Sequence, residues 1–359
     1  MKRPPLTRRR RESGIALVIV MIVVISLSLL AGGFVMSMKV ETKLARNAQA
    51  DPDLDWLGRS GIEVARYVLA QSANNPNEPY DALNQFWAGG FSGTNTIPPE
   101  INFQSMALGE GTISIKIVDQ ERRFNINVAD EQILQQGLKL VGVDASAFGG
   151  ITGAILDWID ADDDTHLGGV ETDFYQRLSP PYNAKNGPLD DISELLMING
   201  VTPEMFWGNH NPHGKSAVRN ILPGSSNHGL GQYAVGLADL FGAISNPRIN
   251  LNTASTEVLQ LIPGMDENLA AGIISARAGP DGTPGNEDDM PFRSVGELAS
   301  AVQGMDPGII QQMARYCDVR SATFQVEVTA TMGGLKRRYL SLVRRNNPQD
   351  VPVLQFYWK

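Results

Sequence analysis

The sequence predicts an α+β fold in which a long N-terminal apolar helix precedes an antiparallel sheet and a large helical domain interrupts that sheet. Residues 13–38 carry no charged side chain, which predicts the helix. Residues 111–128 and 324–330 alternate apolar and polar positions, a pattern typical of half-buried strands, and further strands are predicted over residues 335–343 and 353–358. The segment 129–318 between them shows helical spacing and loop chemistry instead, so it is predicted to be an insertion.

Composition sets the outer limits. The chain has 359 residues, of which 42% are hydrophobic and 19% are charged, and this excludes wholesale disorder. A single cysteine, Cys317, excludes an intramolecular disulfide scaffold and a cysteine zinc cluster, and it is predicted to be a buried thiol. The net charge of −9 argues against a general binder of nucleic acids or anionic membranes.

The N-terminus combines a basic segment with an apolar one. The arginine run 8–11 lies just before residues 15–38, which are apolar enough to span a membrane, since a transmembrane helix needs about 20 such residues. Basic residues on this flank predict a cytoplasmic N-terminus and export of the rest of the chain. A cleaved signal peptide, a plain anchor and a leader cut directly before the apolar run all fit this pattern.

Residues 39–71 are predicted to continue the helix beyond the membrane. Apolar side chains such as Leu54, Leu57 and Leu69 recur there at helical spacing. Asp51 and Pro52 resemble an N-cap followed by proline at the first helical position, which predicts a break or kink.

The sheet is predicted from two stretches. Residues 111–128 read as a hairpin that turns at Asp119 and Gln120, and further strands follow after residue 319. Residues 72–128 and 319–359 therefore form one predicted α/β domain, and residues 129–318 form the inserted domain.

An acidic loop follows the predicted helix that ends near residue 159. Asp160, Asp162, Asp164 and Glu171 fall at positions 1, 3, 5 and 12 of the EF-hand spacing, and Asp173 lies close by. A hard divalent cation would relieve the repulsion between these carboxylates, and calcium takes about 6–8 oxygen ligands. Thr165 occupies the position where an EF-hand needs glycine, so the sequence predicts a calcium loop of another kind. A solvated acidic loop is the alternative.

A second loop, residues 279–289, alternates turn residues with carboxylates. Asp281, Asp288 and Asp289 are candidate ligands for a second calcium ion. An ordinary polar turn explains the same composition, because clusters of glycine, proline and aspartate are common turn chemistry.

Two segments, 193–201 and 253–274, resemble helix-hairpin-helix motifs. In DNA-binding proteins such hairpins offer backbone amides and nearby basic residues to phosphate, but the second carries Asp266 and Glu267, which repel phosphate. Both are predicted to be packing modules. No nucleophile–base pair stands out, and the segment with His210 and His213 reads as a polar loop.

Several short motifs occur together in this order of elements. They are residues 123–127 (RFNIN), 156–160 (LDWID), 173–175 (DFY), 180–182 (PPY), 191–195 (DISEL) and 250–254 (NLNTA). Together with the predicted helix, sheet and insertion, they resemble the minor pseudopilin K family of type II secretion systems, within the type IV pilin and pseudopilin superfamily. The resemblance implies a pilin-like fold, in which the long transmembrane helix packs on an antiparallel sheet and an all-α domain is inserted into that sheet.

The resemblance also implies processing of the N-terminus. A prepilin peptidase would cut after Gly14, so that residues 1–14 are a leader and Ile15 becomes the N-methylated first residue. Residues 15–38 would cross the Gram-negative inner membrane once, in contact with lipid, and the bulk of the chain would lie in the periplasm. Most members carry glutamate at the fifth mature position, where this chain has Ile19, as expected of a subunit with none ahead of it.

The implied function is structural and not enzymatic. The protein would cap the tip of a pseudopilus and initiate its assembly, for export of folded proteins across the outer membrane. Minor pseudopilins I and J and the other pseudopilins would be its partners, one or two calcium ions would bind the inserted domain, and no nucleic acid would bind. The alternative from another class is a membrane-anchored helix-hairpin-helix protein that handles DNA during uptake.

Overall fold

The computed structural model describes residues 13–91, 97–208 and 233–359. Residues 1–12 of the predicted leader lie outside the described residues, as do His210, His213 and His228.

The described chain begins with one long helix, α1 (Ser13–Ala73, 61 residues). It is the one helix of the described chain that is long and apolar enough to cross a membrane, with an 18-residue window of mean hydropathy 3.0. The predicted break is wrong, because the helix continues through Pro52. A proline removes a single backbone donor, and the neighbouring turns hold the helix together on both sides.

Nine strands occur in the described part of the chain. They are β1 (Met106–Leu108), β2 (Gly111–Asp119), β3 (Phe124–Asn125), β4 (Phe241–Gly242), β5 (Ile249–Asn250), β6 (Cys317–Asp318), β7 (Thr323–Met332), β8 (Leu335–Arg344) and β9 (Val353–Trp358). Five of them form one antiparallel sheet in the order β1-β2-β7-β8-β9. Burial alternates along β2, which places one face of the sheet against α1.

The remaining α-helices in the described part of the chain belong to the inserted domain. They are α2 (Glu131–Val141), α3 (Phe148–Ile159), α4 (Thr172–Tyr175), α5 (Pro203–Trp207), α6 (Leu237–Leu240), α7 (Thr256–Leu259), α8 (Glu267–Arg277), α9 (Leu298–Ala301) and α10 (Pro307–Tyr316). Their apolar faces bury a second hydrophobic core, separate from the core between α1 and the sheet. Cys317 lies buried in this second core, which confirms the sequence-based prediction.

The predicted hairpin over residues 111–128 is wrong. β2 pairs with β7, about two hundred residues later in the chain, whereas β3 leaves the sheet and pairs in parallel with β4. The side chains of Phe124 and Ile126 are buried in the core of the inserted domain. The insertion therefore begins directly after Asp119, earlier than the predicted boundary at residue 128.

A buried polar network holds the inserted domain on the sheet. Asp119 at the end of β2 accepts hydrogen bonds from the hydroxyls of Thr253 and Ser321, the latter at 2.7 Å. Glu121 accepts from the backbone N–H groups of Asn246 and Thr323 at 2.9 and 3.0 Å. Burial is the main cause that raises the pKa of Glu121 to about 8, and the negative charge of the neighbouring Asp119 is the second cause. The junction thus contains carboxyl groups that are satisfied by hydrogen bonds to both units.

Small residues and polar contacts dock α1 on the sheet. Gly58 lies directly against the ring of Tyr339, and the Tyr339 hydroxyl donates to Asp55 Oδ1 at 2.6 Å. Arg337 on β8 reaches Asp51 at 2.6 Å and Asp55 at 3.3 Å. The helix therefore has a fixed register on the sheet.

Candidate metal centre

Helix α3 and the loop that follows it bring several carboxylates together. Asp157 lies on the buried face of α3, where its side chain is fully buried. Asp160 caps the end of the helix, and Glu171 immediately precedes α4. The loop returns over α3 so closely that a β-carbon at Gly153 would meet Gly169, and one at Gly169 would meet the Asp157 carboxylate. Glycine at these two positions allows the acidic loop to fold against Asp157.

His166 ties the loop to the helix. Its backbone N–H donates to Asp157 Oδ1 at 2.8 Å, and its ring Nδ1 lies 2.7 Å from the same oxygen. The ring Nδ1 also lies 3.5 Å from Asp160 Oδ2. In the described residues, these three side chains form the one group of metal-ligating type, with their ligand atoms within 4.8 Å of one another.

Several carboxylate oxygens at this centre are buried without a hydrogen-bond partner. They are Asp157 Oδ2, Asp160 Oδ1 and both side-chain oxygens of Glu171. An unpaired buried carboxylate is expensive, because it loses its hydration and gains nothing in return. A cation would be a chemically suitable partner for these oxygens.

The carboxylates of this centre repel one another. Burial, followed by the nearby charges of Asp157 and Asp160, raises the pKa of Glu171 to about 7. Burial also raises the pKa of Asp160, with the nearby Asp162 charge as the second cause. The hydrogen bond to Asp157 raises the pKa of His166 above its ordinary value. The protein alone thus provides too few positive groups for the carboxylates that it assembles.

The structure brings together part of the predicted ligand set. Asp160 and Glu171 belong to the centre, whereas Asp162, Asp164 and Asp173 are exposed. Asp162 instead accepts a hydrogen bond from the backbone of Asp164 at 3.0 Å, so the two shape the loop. The residues at EF-hand spacing therefore do not converge on one point as they do in an EF-hand.

Asp157 and His166 were missed as candidate ligands. One signal for Asp157 was available, since it lies between Trp158 and Leu156 on an otherwise apolar helix, and a charged residue there needs a partner. Asn186 also lies beside the acidic loop and was not among the predicted ligands. Its side-chain amide donates to the Asp162 carbonyl at 3.0 Å and to Asp163 Oδ1 at 2.9 Å. Its own side-chain oxygen is buried without a partner. The donor set of carboxylates and an amide oxygen matches what calcium prefers.

The second acidic loop folds largely on itself. Asp281 accepts from Thr283 and from Asn286, both at 2.7 Å, and Asp288 accepts from the backbone of Asp281 at 3.1 Å. Asp289 retains one buried oxygen without a partner, and burial raises its pKa. This loop brings the three predicted aspartates near one another, but most of their oxygens already have partners within the protein.

The segment between α7 and α8 forms the predicted hairpin. Gly264 takes a left-handed conformation with φ of 84°, and Asp266 caps α8 by accepting from the Leu269 N–H at 2.8 Å. In a DNA-binding hairpin, phosphate would take such free amides. Here a carboxylate occupies the position, and the apolar residues of α7 and α8 pack into the domain core.

Comparisons with known proteins agree with this architecture. A family model described as type II secretion system (T2SS), protein K, matches residues 111–207, and one described as a helix-hairpin-helix motif matches residues 245–318. The type II secretion system protein K of Pseudomonas aeruginosa is 25% identical over 361 residues, which cover 96% of this chain and 92% of that protein. The Klebsiella pneumoniae protein of the same name is 26% identical over 55% of this chain and 60% of its own length.

A solved structure shares the fold. It comes from the GspK–GspI–GspJ complex of the enterotoxigenic Escherichia coli type 2 secretion system, with a TM-score of 0.62 and 21% sequence identity. The match covers 88% of this chain and 99% of the solved chain. The match therefore extends over most of this chain and nearly all of the solved chain.

Proposed function

Because the chain belongs to the type II secretion system protein K family, we propose that it caps the tip of the pseudopilus and initiates its assembly. The observation that carries this proposal is the insertion of a whole helical domain between β2 and β7 of a pilin-like sheet. Such a bulky addition leaves no space for a further subunit stacked beyond it. The role is structural, and we propose no catalytic activity.

The membrane anchor supports this location in the assembly. The most apolar window of α1 is fully exposed, as expected for a segment that contacts lipid or neighbouring helices. We propose that residues 1–14 are removed after Gly14, that Ile15 is N-methylated and that the sheet and inserted domain lie in the periplasm. Intact mass measurement of the purified chain tests the cleavage, since any mature N-terminus other than a methylated Ile15 contradicts it.

Calcium belongs to the proposal because the candidate metal centre suits it. Asp157, Asp160 and Glu171 supply buried oxygens without partners, and Asn186 supplies an amide oxygen beside the loop. A bound cation would neutralise these carboxylates and fix the loop between α3 and α4. Magnesium suits the set less well, because it usually keeps several waters and binds through one or two carboxylates.

The partners follow from the family and from the neighbouring structure. The solved relative is part of a complex with GspI and GspJ, and we propose that this chain binds the corresponding minor pseudopilins I and J. DNA uptake is less well supported, although a helix-hairpin-helix model matches residues 245–318. The amide position of that hairpin is occupied by Asp266, and Glu267 follows it.

Co-purification tests the proposed function. The full-length chain is expressed with the minor pseudopilins I and J of the same secretion system, extracted in mild detergent and analysed by size-exclusion chromatography with light scattering. A stable complex of the three proteins is expected, and secretion should fail when this chain is deleted and return when it is restored. Normal secretion and pseudopilus assembly in the deletion strain would contradict the proposal.

A further inference from the structure

The last strand of the sheet has a free edge. β9 pairs with β8, and the Lys359 N–H donates to the Arg338 carbonyl at 2.9 Å at the end of this ladder. In an antiparallel pair, successive residues direct their backbone groups alternately toward the partner strand and away from it. The backbone groups of Phe356 and Trp358 therefore point outward, and no other described segment hydrogen-bonds to them.

The chemistry of β9 differs from that of a protected edge. Edge strands in soluble proteins usually carry charges, prolines or bulges, or are very short. The opposite edge strand, β1, has three residues, whereas β9 has six residues, VLQFYW, and none is charged. The pairing of β9 with β8 has one irregularity, at Leu354, and is regular from Gln355 to Trp358. Leu354, Tyr357 and Trp358 are 45%, 48% and 61% exposed. This edge thus combines free backbone groups with exposed apolar and aromatic side chains.

A cation without a carboxylate partner flanks the edge. The Arg59 guanidinium on α1 lies 4.9 Å from the centre of the Phe356 ring, and it makes no ion pair with any described residue. Arg337, by contrast, stacks on Trp358 at 4.8 Å and is already paired with Asp51 and Asp55. A segment added beside β9 would therefore meet one unpaired positive charge on the α1 side.

The other face of β9 has space for side chains. Gln355 and Tyr357 line a cleft of about 140 Å³ between the sheet and the inserted domain. A strand alternates its side chains between two faces, so both faces must accommodate an added segment. The cleft accepts one set, and the flank of α1 accepts the other.

We propose that the outer edge of β9 binds an extended segment of a neighbouring minor pseudopilin by strand addition, with an acidic side chain of that segment paired to Arg59. The backbone groups of Phe356 and Trp358 provide the hydrogen bonds, and the exposed aromatic rings provide apolar contact. The identity of the partner as a minor pseudopilin rests on the proposed function. The location of the contact rests on the free edge and on Arg59.

Hydrogen–deuterium exchange tests the location. The full-length chain is compared alone and in its complex with the minor pseudopilins I and J. The Phe356 and Trp358 amides are expected to exchange at least about tenfold more slowly in the complex, because strand pairing protects them. If the complex forms and these amides exchange at the same rate as in the free chain, the strand addition is wrong while the proposed function stands. If no complex forms, both are wrong.

Two pairs of variants separate the backbone from the side chains. Trp358→Pro removes an outward N–H and leaves the ladder with β8 intact, whereas Trp358→Ala keeps that N–H. The proline variant should weaken the complex clearly more than the alanine variant. Arg59→Glu should weaken it by about tenfold or more, and Arg59→Lys should retain most of the affinity. Equal effects within both pairs, or protection of β9 by a second copy of this chain, would overturn the inference.

Discussion

Gly58 of α1 lies directly on the ring of Tyr339, with no space between them for a β-carbon. The Tyr339 hydroxyl in turn donates to Asp55, three residues before Gly58 on the same helix. One aromatic side chain of β8 thus fixes both the distance and the rotation of α1. The sheet holds the anchor helix through this contact.

Gly58→Ala should destabilise the protein by about 1–3 kcal/mol, because the added methyl group overpacks a buried contact. The substitution would otherwise favour a helix, since alanine has the higher helix propensity. Thermal unfolding of the detergent-solubilised chain measures the effect. Gly149→Ala in α3, where a β-carbon meets nothing within 4 Å, is the matched control and should be neutral or slightly stabilising. Equal stability of the two variants would contradict the proposed contact.

Calcium should raise the unfolding temperature, and a chelator should lower it. A ligand that binds only the folded state at a hundred times its dissociation constant adds about 2.7 kcal/mol of stability. Glu171→Gln and Asp160→Asn should reduce this shift, because each removes a carboxylate from the centre. Glu204→Gln, an exposed acid on α5, should leave it unchanged. The assigned site would be wrong if Glu204→Gln abolished the calcium-dependent shift while Glu171→Gln and Asp160→Asn left it unchanged.

Stability should fall as the pH rises from about 4.5 toward 8. The pKa of Glu121 is raised from 4.5 to about 8 in the folded protein, so the folded state binds more protons than the unfolded chain in this window. Each unit of difference corresponds to about 1.4 kcal/mol. Glu121→Gln should flatten this dependence in chemical unfolding followed at several pH values.

The control for the pH experiment is Glu110→Gln, a substitution of an exposed residue at the turn between β1 and β2. It should leave the slope of stability against pH unchanged. A steeper loss of stability toward low pH in the wild-type chain would show that Glu121 is ionised in its buried position.

Duplex DNA should bind weakly at most, and without the steep salt dependence of a phosphate-binding protein. The α7–α8 hairpin carries an acidic cap where phosphate would need a free amide. Fluorescence anisotropy at several salt concentrations measures this with the full-length chain. Asp266→Asn is the informative variant, since it keeps a capping oxygen and removes the charge. Tight, salt-sensitive binding by the wild type would favour the DNA-uptake alternative.

Much of the fold could be predicted from the sequence because its signals are local. The uncharged run 13–38 predicts α1, and the alternation in residues 324–330 predicts a strand that the structure confirms as β7. The hairpin prediction was wrong because Phe124 and Ile126 alternate as strand residues do, yet they are buried in the other core. Alternation reports burial of one face and does not say which core covers it.

The candidate site was predicted only in part for a similar reason. The acidic composition of residues 160–173 was visible, and Asp160 and Glu171 belong to the centre. Asp157 could not be ranked above Asp162 or Asp164, because its importance depends on tertiary burial and on the return of the loop over α3. The EF-hand spacing therefore located the acidic region but did not identify Asp157, the buried carboxylate at its centre.

The adjacency of β2 and β7 affects the order in which the parts of the sheet can form. The Gln120 N–H donates to the Thr323 carbonyl at 3.0 Å, so the two ends of the insertion meet at one point of the sheet. If the chain crosses the membrane from its N-terminal side, β2 emerges long before its neighbour β7. Until the whole helical domain has crossed, the sheet lacks its central strand, and α1 has only part of its binding surface. The apolar face of α1 between Leu54 and Leu69 then remains uncovered for that interval, which exposes the unfinished chain to aggregation.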